Sequence, residues 1–322
     1  MTRSLALRPL LPAGLAATAL LLAGCSPAAE GADTATGSGT VEVLASFYPL
    51  QYLAQEIGGD LVTVSSLTPP GAEPHDLELS PSQVREVGRA DLVVYLSGFQ
   101  SAVDDALVAT EPAQVVDVAE VPAIAEHMGE EEDAEDEDHA EDEAEDEHSH
   151  DGDDPHFWLD PTLLAAAAPV VAEALAAADP DHAEDFAAGA DQLVVSLEAL
   201  DEEFTTVLAT CERRVLVTSH AAFGYLAERY DLMQVGLSDL DPEAEPSPAR
   251  LREIREVVEE HGVTTIFTEA LVSPKVAETL ADDLGISTAV LDPVESQVDE
   301  AVDYRGAMES NLTALRAALG CS

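Results

Sequence analysis

The chain has 322 residues and a formal charge of −52, from 65 acidic and 13 basic residues. A chain so acidic repels nucleic acid and anionic lipid surfaces, so we expect its charged partners to be cations. Hydrophobic residues make up 46% of the sequence, which is ordinary for a folded protein, and the length allows two domains with real cores. Nucleic-acid binding and disorder of the whole chain are therefore excluded.

The N-terminus has the pattern of an exported lipoprotein. Two arginines precede an apolar run at 10–23, which is too short for a comfortable transmembrane helix, and small residues then precede Cys25. This stretch resembles a bacterial lipoprotein signal with its lipobox. We predict a signal peptide at 1–24, lipid attachment at Cys25 and a flexible tether at 25–40. A cleaved signal with an incidental cysteine is the alternative.

Export also places the two remaining cysteines in an oxidising compartment, where thiols pair. Cys211 and Cys321 show no Cys-x-x-Cys spacing, which argues against a thiolate zinc site. We predict that they form a structural disulfide bond.

From residue 41 onward, short apolar runs alternate with helical patterns. They predict strands at 41–46, 62–67, 92–96 and 114–118, and helices at 49–57, 81–88 and 101–109. Such alternation implies a mainly parallel sheet covered by helices. Groups that bind a ligand then gather on the loops after the carboxyl ends of the strands.

The composition changes abruptly at 126–154, where nearly every residue is Glu, Asp, His or Ala. Charge repulsion and the lack of anything to bury predict an unfolded loop here, which we call the acidic tract. Its histidines are His127, His139, His148 and His150. Two interpretations stay open: an insert of no specific use, or a weak metal-gathering role.

Beyond the tract, an Ala-rich helix is predicted at 161–178, followed by a helical apolar pattern at 181–210. At about 1.5 Å per residue the second helix would be about 40 Å long, sufficient to join two lobes as a stiff rod.

The alternating pattern then resumes. It predicts strands at 214–219, 233–237, 264–268 and 288–291, and helices at 223–230, 248–261, 274–284 and 303–319. The two halves therefore repeat one architecture. We predict an α/β fold with four-stranded lobes at 41–180 and 211–322, joined by the helix at 181–210 and facing each other across a cleft.

Four residues able to bind a metal lie after predicted strands or beside a break in the chain: His75, His156, His220 and Asp292. Three imidazoles and one carboxylate suit four-coordinate zinc, and two of the four come from each lobe. Each also has a simpler interpretation. His75 can cap a loop, His156 can be a core residue beside Phe157 and Trp158, and His220 can begin a helix. Asp292 precedes a proline, where aspartate is a common turn residue.

The motifs around these residues resemble a known family. They are Glu73-Pro74-His75, the stretch Pro155 to Pro161, the stretch Thr218 to Tyr225 and Leu291-Asp292-Pro293. Together with the long helix and the acidic His-bearing tract, they resemble the metal-specific solute-binding proteins of ABC importers, of the ZnuA-like zinc-uptake type. The resemblance covers nearly everything from residue 41 to 321.

This resemblance implies that His75, His156, His220 and Asp292 bind one zinc ion between two lobes. For Glu73, a solvated loop glutamate is favoured over a water-bridged or alternative contact to the ion. Manganese members of the family have a carboxylate at the position of His220, and imidazole, the softer ligand, favours zinc. We therefore expect an extracytoplasmic, lipid-anchored monomer that binds Zn²⁺ and delivers it to an ABC permease.

The alternatives are a manganese-binding homologue, an adhesin or metal buffer, and a zinc hydrolase. An enzyme needs an open coordination position, whereas four protein ligands close the shell. The sequence contains neither a His-Glu-x-x-His motif nor a Gly-x-Ser-x-Gly elbow. We expect no catalytic activity.

Deleting most of the acidic tract while keeping Pro155 should leave one tight zinc site, because all four predicted ligands lie outside the tract. Ordering a flexible tract costs roughly 1–2 kcal/mol per residue, so its own histidines should bind cations only weakly. Zinc titration of the intact and the shortened protein, at low and physiological salt, is the measurement. Loss of the tight site would show that the tract supplies a ligand.

Overall fold

The computed structural model describes residues 40–129 and 154–322. The predicted signal peptide and nearly all of the tether, including Cys25, lie outside the described residues. Most of the acidic tract, with His139, His148 and His150, also lies outside them.

Eight strands form two four-stranded sheets, and all pairings within them are parallel. The first sheet contains β1 (Val41–Ala45), β2 (Val62–Ser66), β3 (Leu92–Tyr95) and β4 (Val115–Asp117). The second contains β5 (Val215–Thr218), β6 (Met233–Gly236), β7 (Thr265–Thr268) and β8 (Ser287–Val290). The predicted α/β fold of two four-stranded lobes is confirmed, and each strand end lies within one residue of its predicted position.

The two sheets repeat one topology, with the orders β2-β1-β3-β4 and β6-β5-β7-β8. In each sheet the order reverses beside the first strand, between β1 and β3 and between β5 and β7. Loops that follow strands at such a reversal form a crevice that binds ligands in open parallel sheets. The topology therefore places a binding crevice at the carboxyl ends of both sheets.

Ten helices lie among the described residues. They are α1 (Tyr48–Gly58), α2 (Pro81–Val87), α3 (Ser101–Thr110), α4 (Pro122–Gly129), α5 (Pro161–Ala178), α6 (Ala183–Leu208), α7 (Gly224–Arg229), α8 (Pro248–His261), α9 (Lys275–Leu284) and α10 (Tyr304–Leu319). All but α4 were predicted.

The helix α4 differs from the prediction because it continues to Gly129, three residues past the predicted start of the unfolded tract at Glu126. Its Ile124 is fully buried in the main hydrophobic core. This burial, which charge and composition alone do not reveal, holds the first residues of the tract in a helix.

The long helix α6 has 26 residues, about 39 Å at the usual rise, and begins two residues later than predicted because residues 180–182 form a 3₁₀ turn. Its buried face recurs every three or four residues: Phe186, Ala190, Leu193, Leu197, Leu200, Phe204 and Leu208. It packs against α1 and α5 of the first half and α10 of the second. At Gly189 a side chain would meet the carbonyl oxygen of Ile57, which explains glycine at that crossing.

Among the described residues, α5 alone is long and apolar enough to cross a membrane by length and composition. Half of it is buried inside the protein, where it packs against α1 and α6. This is the behaviour of a core helix.

One hydrophobic core contains residues from both halves, among them Val43, Trp158, Phe204, Phe267 and Leu319. Of two smaller clusters, one lies wholly in the first half and the other wholly in the second. The two lobes therefore share most of their buried apolar surface, and this shared core holds the crevice between them.

The predicted disulfide is confirmed: Cys211, just after α6, is bonded to Cys321, just after α10. The two residues also form an isolated antiparallel bridge. The C-terminus is thereby fastened to the end of the long helix.

Replacing both cysteines by serine should lower the free energy of unfolding. The bridge closes a loop with a sequence separation of 110, and a loop of this order is worth at most about 5 kcal/mol in the chain-entropy model. Urea unfolding of both proteins without reductant is the measurement. Equal unfolding midpoints would show that the bridge adds nothing to stability.

Candidate metal centre

Four side chains from different loops converge in the crevice: His75, His156, His220 and Glu295. Each offers one ligand atom, and the four atoms lie within 4.8 Å of one another. His75 and His156 precede α6 in the chain, and His220 and Glu295 follow it. The group therefore spans both halves of the fold.

His75 lies on the loop between β2 and α2. Its backbone N–H donates to Glu73 Oε1 at 3.0 Å, and the amide of buried Gln100 donates to the carbonyl of Pro74 at 3.1 Å. These bonds hold the loop from both sides. The side chain of His75 is 17% exposed, so this histidine is the one nearest to solvent.

His156 is fully buried at the start of a short 3₁₀ helix, Phe157–Leu159. Trp158, within that helix, fixes it to the second half of the chain. The indole N–H of Trp158 donates to the carbonyl of Pro293 at 2.7 Å, and its own carbonyl accepts from the hydroxyl of Tyr304 at 2.6 Å. The only tryptophan of the chain thus joins two of the loops that form the site.

His220 follows β5 and is also fully buried. Its Nδ1 lies 2.8 Å from Oε1 of Glu269, the residue directly after β7. Its Nε2 has no hydrogen-bond partner among the described residues, although it lies 3.5 Å from Glu295 Oε1. A buried polar atom is normally paired, so a nitrogen left unpaired beside two other imidazoles fits a metal ligand.

The Nε2 atoms of all three histidines surround one oxygen, Oε1 of Glu295. The distances are 2.9 Å from His156, 3.4 Å from His75 and 3.5 Å from His220. Ligands at about 2.0–2.1 Å around tetrahedral zinc are separated by roughly 3.3–3.4 Å. The distances between this oxygen and the three nitrogens are therefore close to those between ligands in a zinc coordination shell.

The carboxylate in this group is Glu295, and Asp292, which we predicted as the fourth ligand, is not part of it. Asp292 has a different role in the loop after β8. Its Oδ1 accepts the N–H of Val294 at 2.8 Å, and Asn311 of α10 bonds both its backbone N–H and its carbonyl. Asp292 thus shapes the turn that carries Glu295.

Sequence reasoning missed Glu295 because the turn before it is unusual. Val294 adopts φ = +58°, a left-handed conformation that is rare for a β-branched residue. This turn directs Glu295 into the crevice. The available signal was a second acidic residue close behind Asp292-Pro293, and nothing in the pattern distinguished it from a solvated glutamate.

The charges of the group depend on each other. Burial alone would lower the pKa values of the histidines, but neighbouring carboxylates reverse the effect. Asp154 and Glu295 raise the pKa of His156, and Glu269 and Glu295 raise that of His220 to about 10. Burial would raise the pKa of Glu295, yet the neighbouring imidazoles hold it well below its usual range. Without metal, protons on His156 and His220 balance the buried carboxylate.

Glu73 lies at the edge of this group, with Oε1 4.0 Å from Nε2 of His75. Burial raises the pKa of its carboxyl. Its hydrogen bonds go to the backbone N–H groups of His75 and Asp76, at 3.0 and 3.3 Å. In this structure Glu73 shapes the His75 loop.

Comparisons with known proteins identify the family. The sequence pattern of the family described as "ZnuA: Zinc-uptake complex component A periplasmic" matches residues 43–318. The chain belongs to this family.

Two curated relatives illustrate the extent of the match. The "High-affinity zinc uptake system protein ZnuA" of Bacillus subtilis is 34% identical over 310 residues, which are 95% of this chain and 96% of the relative. The "Zinc-binding protein AdcA" of Streptococcus pyogenes is 33% identical over 287 residues, which are 86% of this chain and 56% of the relative. The chain thus spans about half the length of the AdcA relatives.

Solved structures of the ZnuA type show the same fold. The Zn(II)-bound ZnuA-like domain of Streptococcus pneumoniae AdcA superposes with a TM-score of 0.69 at 30% identity, covering 87% of this chain and 99% of that one. The laminin-binding protein Lmb of Streptococcus agalactiae, described as having adhesin and metal-transporting activity, gives a TM-score of 0.74 at 31% identity, with 87% and 100% covered.

Zinc binding should release protons at neutral pH, because the metal replaces protons held by His156 and His220. Raised pKa values keep these imidazoles protonated to higher pH. The number of protons released per zinc should therefore fall, and the affinity should rise, as the pH increases toward the pKa of about 10 of His220. Calorimetric titration in buffers of different ionisation enthalpy measures this number. A heat of binding independent of the buffer would contradict the assignment.

Proposed function

We propose that this protein is an extracytoplasmic zinc receptor that captures one Zn²⁺ ion and delivers it to an ABC permease. The observation that carries the proposal is the convergence of three imidazole Nε2 atoms on one carboxylate oxygen in a crevice between the lobes. In the proposed site, His75, His156, His220 and Glu295 bind the ion. Membership of the ZnuA family supports the same conclusion.

The chemistry of the four residues favours zinc as the bound ion. Nitrogen-rich sites select zinc over manganese, which prefers oxygen ligands, and zinc accepts the four-coordinate geometry that this group provides. Four protein ligands leave no open position for an activated water, so we propose that the site binds metal and does not catalyse hydrolysis.

Anchoring is the second part of the proposal. We infer that Cys25 carries a lipid and that the tether at 25–40 keeps the folded part near the membrane, where a permease is within reach. Support comes from the signal pattern of the sequence and from a relative of Streptococcus pneumoniae named "Zinc-binding lipoprotein AdcA", which is 34% identical over 309 residues. We propose that the receptor acts as a monomer.

Adhesion is the second candidate function, favoured by the likeness to the laminin-binding protein Lmb. Both functions use the same fold, so they differ in partner and not in the metal site. An adjacent permease and ATPase in the genome would favour transport.

The purified protein should retain one equivalent of zinc after washing with a weak chelator. Glu295→Gln should weaken zinc binding by more than about 100-fold. Losing a residue that only hydrogen-bonds to a metal ligand already costs about 10–100-fold in affinity, and Glu295 is proposed to bind the ion directly. Asp292→Asn is the matched control and should leave the affinity nearly unchanged, since the amide oxygen can still accept the N–H of Val294. Competition with a chromophoric chelator measures both.

Two results would contradict the proposal. A wild-type protein that retains no zinc would refute the receptor function. A large loss in Asp292→Asn with little loss in Glu295→Gln would restore Asp292 as the fourth ligand.

A further inference from the structure

We propose that Asp154 is a positioning residue that aims Nε2 of His156 at the metal, and that Gly224 and Tyr225 hold Asp154 in place from the other half of the chain. This inference rests on the proposed function, since it explains how one ligand of that site is oriented.

Asp154 contacts His156 twice through one oxygen. Its Oδ1 accepts the backbone N–H of His156 at 3.0 Å and lies 2.6 Å from the ring Nδ1. A carboxylate only accepts, so Nδ1 carries the hydrogen and Nε2 is the nitrogen left for the metal. The same oxygen thus positions both the backbone and the imidazole ring of this histidine.

The other carboxylate oxygen occupies space left by a glycine. A Cβ atom added to Gly224 would lie 2.6 Å from Asp154 Oδ2. The backbone of Gly224 does not adopt the left-handed conformation that requires glycine, so space is the reason for the missing side chain at this position. Gly224 opens α7 in the second half of the chain, four residues after His220.

The next residue holds the backbone of Asp154. The hydroxyl of Tyr225 donates to the carbonyl of Asp154 at 3.0 Å, and the tyrosine itself is buried. The carbonyl of Asp154 is therefore bonded to Tyr225, and its carboxylate lies in the space beside Gly224. Under this proposal, a change in the position of α7 alters the position of the His156 ring through Asp154.

The other buried histidine is oriented differently. Nδ1 of His220 pairs with Glu269, and both residues belong to the second half of the chain. For His156 the carboxylate belongs to the first half but is packed against the second. The Asp154 contact therefore links the orientation of one metal ligand to the relative position of the two halves.

The test compares Asp154→Ala, Asp154→Asn, Gly224→Ala and Tyr225→Phe, none of which removes a proposed ligand. Zinc affinity should fall about 10–100-fold in Asp154→Ala and less in Asp154→Asn, whose amide oxygen still accepts the Nδ1 hydrogen. Gly224→Ala should lose about 10-fold, because the methyl group displaces the carboxylate. Tyr225→Phe should lose roughly 2- to 10-fold, the value of one hydrogen bond.

Two further measurements separate positioning from general stability. The visible spectrum of the cobalt(II)-substituted protein reports the ligand geometry, and it should change in Asp154→Ala and Gly224→Ala. In the metal-free protein, the Nδ1 proton of His156 should give a slowly exchanging NMR signal that both variants lose. This second measurement needs no metal, so it tests the inference even if the wild-type protein fails to retain zinc and the proposed function is refuted.

The chain offers matched controls. Asp179 bonds Nδ1 of surface His182 at the same 2.6 Å, so Asp179→Ala removes an equivalent pair outside the metal group. Tyr230→Phe removes a hydroxyl that is bonded to Asp201. Neither should change the cobalt spectrum.

Three results would overturn the inference. Unchanged zinc affinity in Asp154→Ala would remove Asp154 as a positioning residue. Wild-type cobalt spectra in both Gly224→Ala and Tyr225→Phe would remove the link to the second half. A wild-type NMR signal in Asp154→Ala would show that another group holds the Nδ1 proton. If Asp154→Ala fails to fold, the other three variants still decide the question.

Discussion

The site depends on one buried charge. Glu295 is almost fully enclosed, and a carboxylate in such a place is tolerated only when donors surround it. Three imidazoles surround it when no metal is bound, and protons on His156 and His220 balance its charge. In the proposed zinc-bound form, the ion replaces these protons and contacts the same atoms. The metal-free and metal-bound forms are thus two ways of balancing one charge, and affinity depends on the competition between them.

The surrounding fold serves to hold the four groups around that charge. Each group follows a strand or stands at the start of a short 3₁₀ helix at the crevice. Each loop has its own restraint, such as Gln100 for the His75 loop and Asn311 for the Glu295 loop. Several restraints cross between the halves, among them the bond from Trp158 to Pro293. A shared core and a long helix make these cross-connections possible, because the two sheets are not free to drift apart.

The fold was largely predictable from the sequence. Strands bounded by turn residues and helices with a 3.6-residue period are local signals, so eight strands and nine helices were found close to their true ends. The three histidines were found for a related reason, since each follows a strand or a Pro-containing break. The helix α4 was missed because its stability comes from burying Ile124 in a distant core.

The fourth group could not be predicted in the same way. Whether Asp292 or Glu295 faces the crevice depends on one backbone angle at Val294 and on two hydrogen bonds from α10, a helix more than ten residues away in the chain. Likewise, the carboxylates that pair with His156 and His220 are recognisable only once the loops are assembled. Local pattern identifies candidate groups, and tertiary contacts select among them.

The bond between Cys211 and Cys321 also has a topological consequence. It turns almost the whole second half of the molecule into a closed covalent ring, attached to the first half at the end of α6. A protease that cuts one exposed loop of this ring opens it without releasing a fragment. His220 and Glu295 then stay on one connected molecule. Their separation requires reduction of the bridge or a second cut on the other path between them, which runs through the disulfide. For the proposed extracytoplasmic receptor, this connectivity would keep half of the candidate metal site together after a single cleavage.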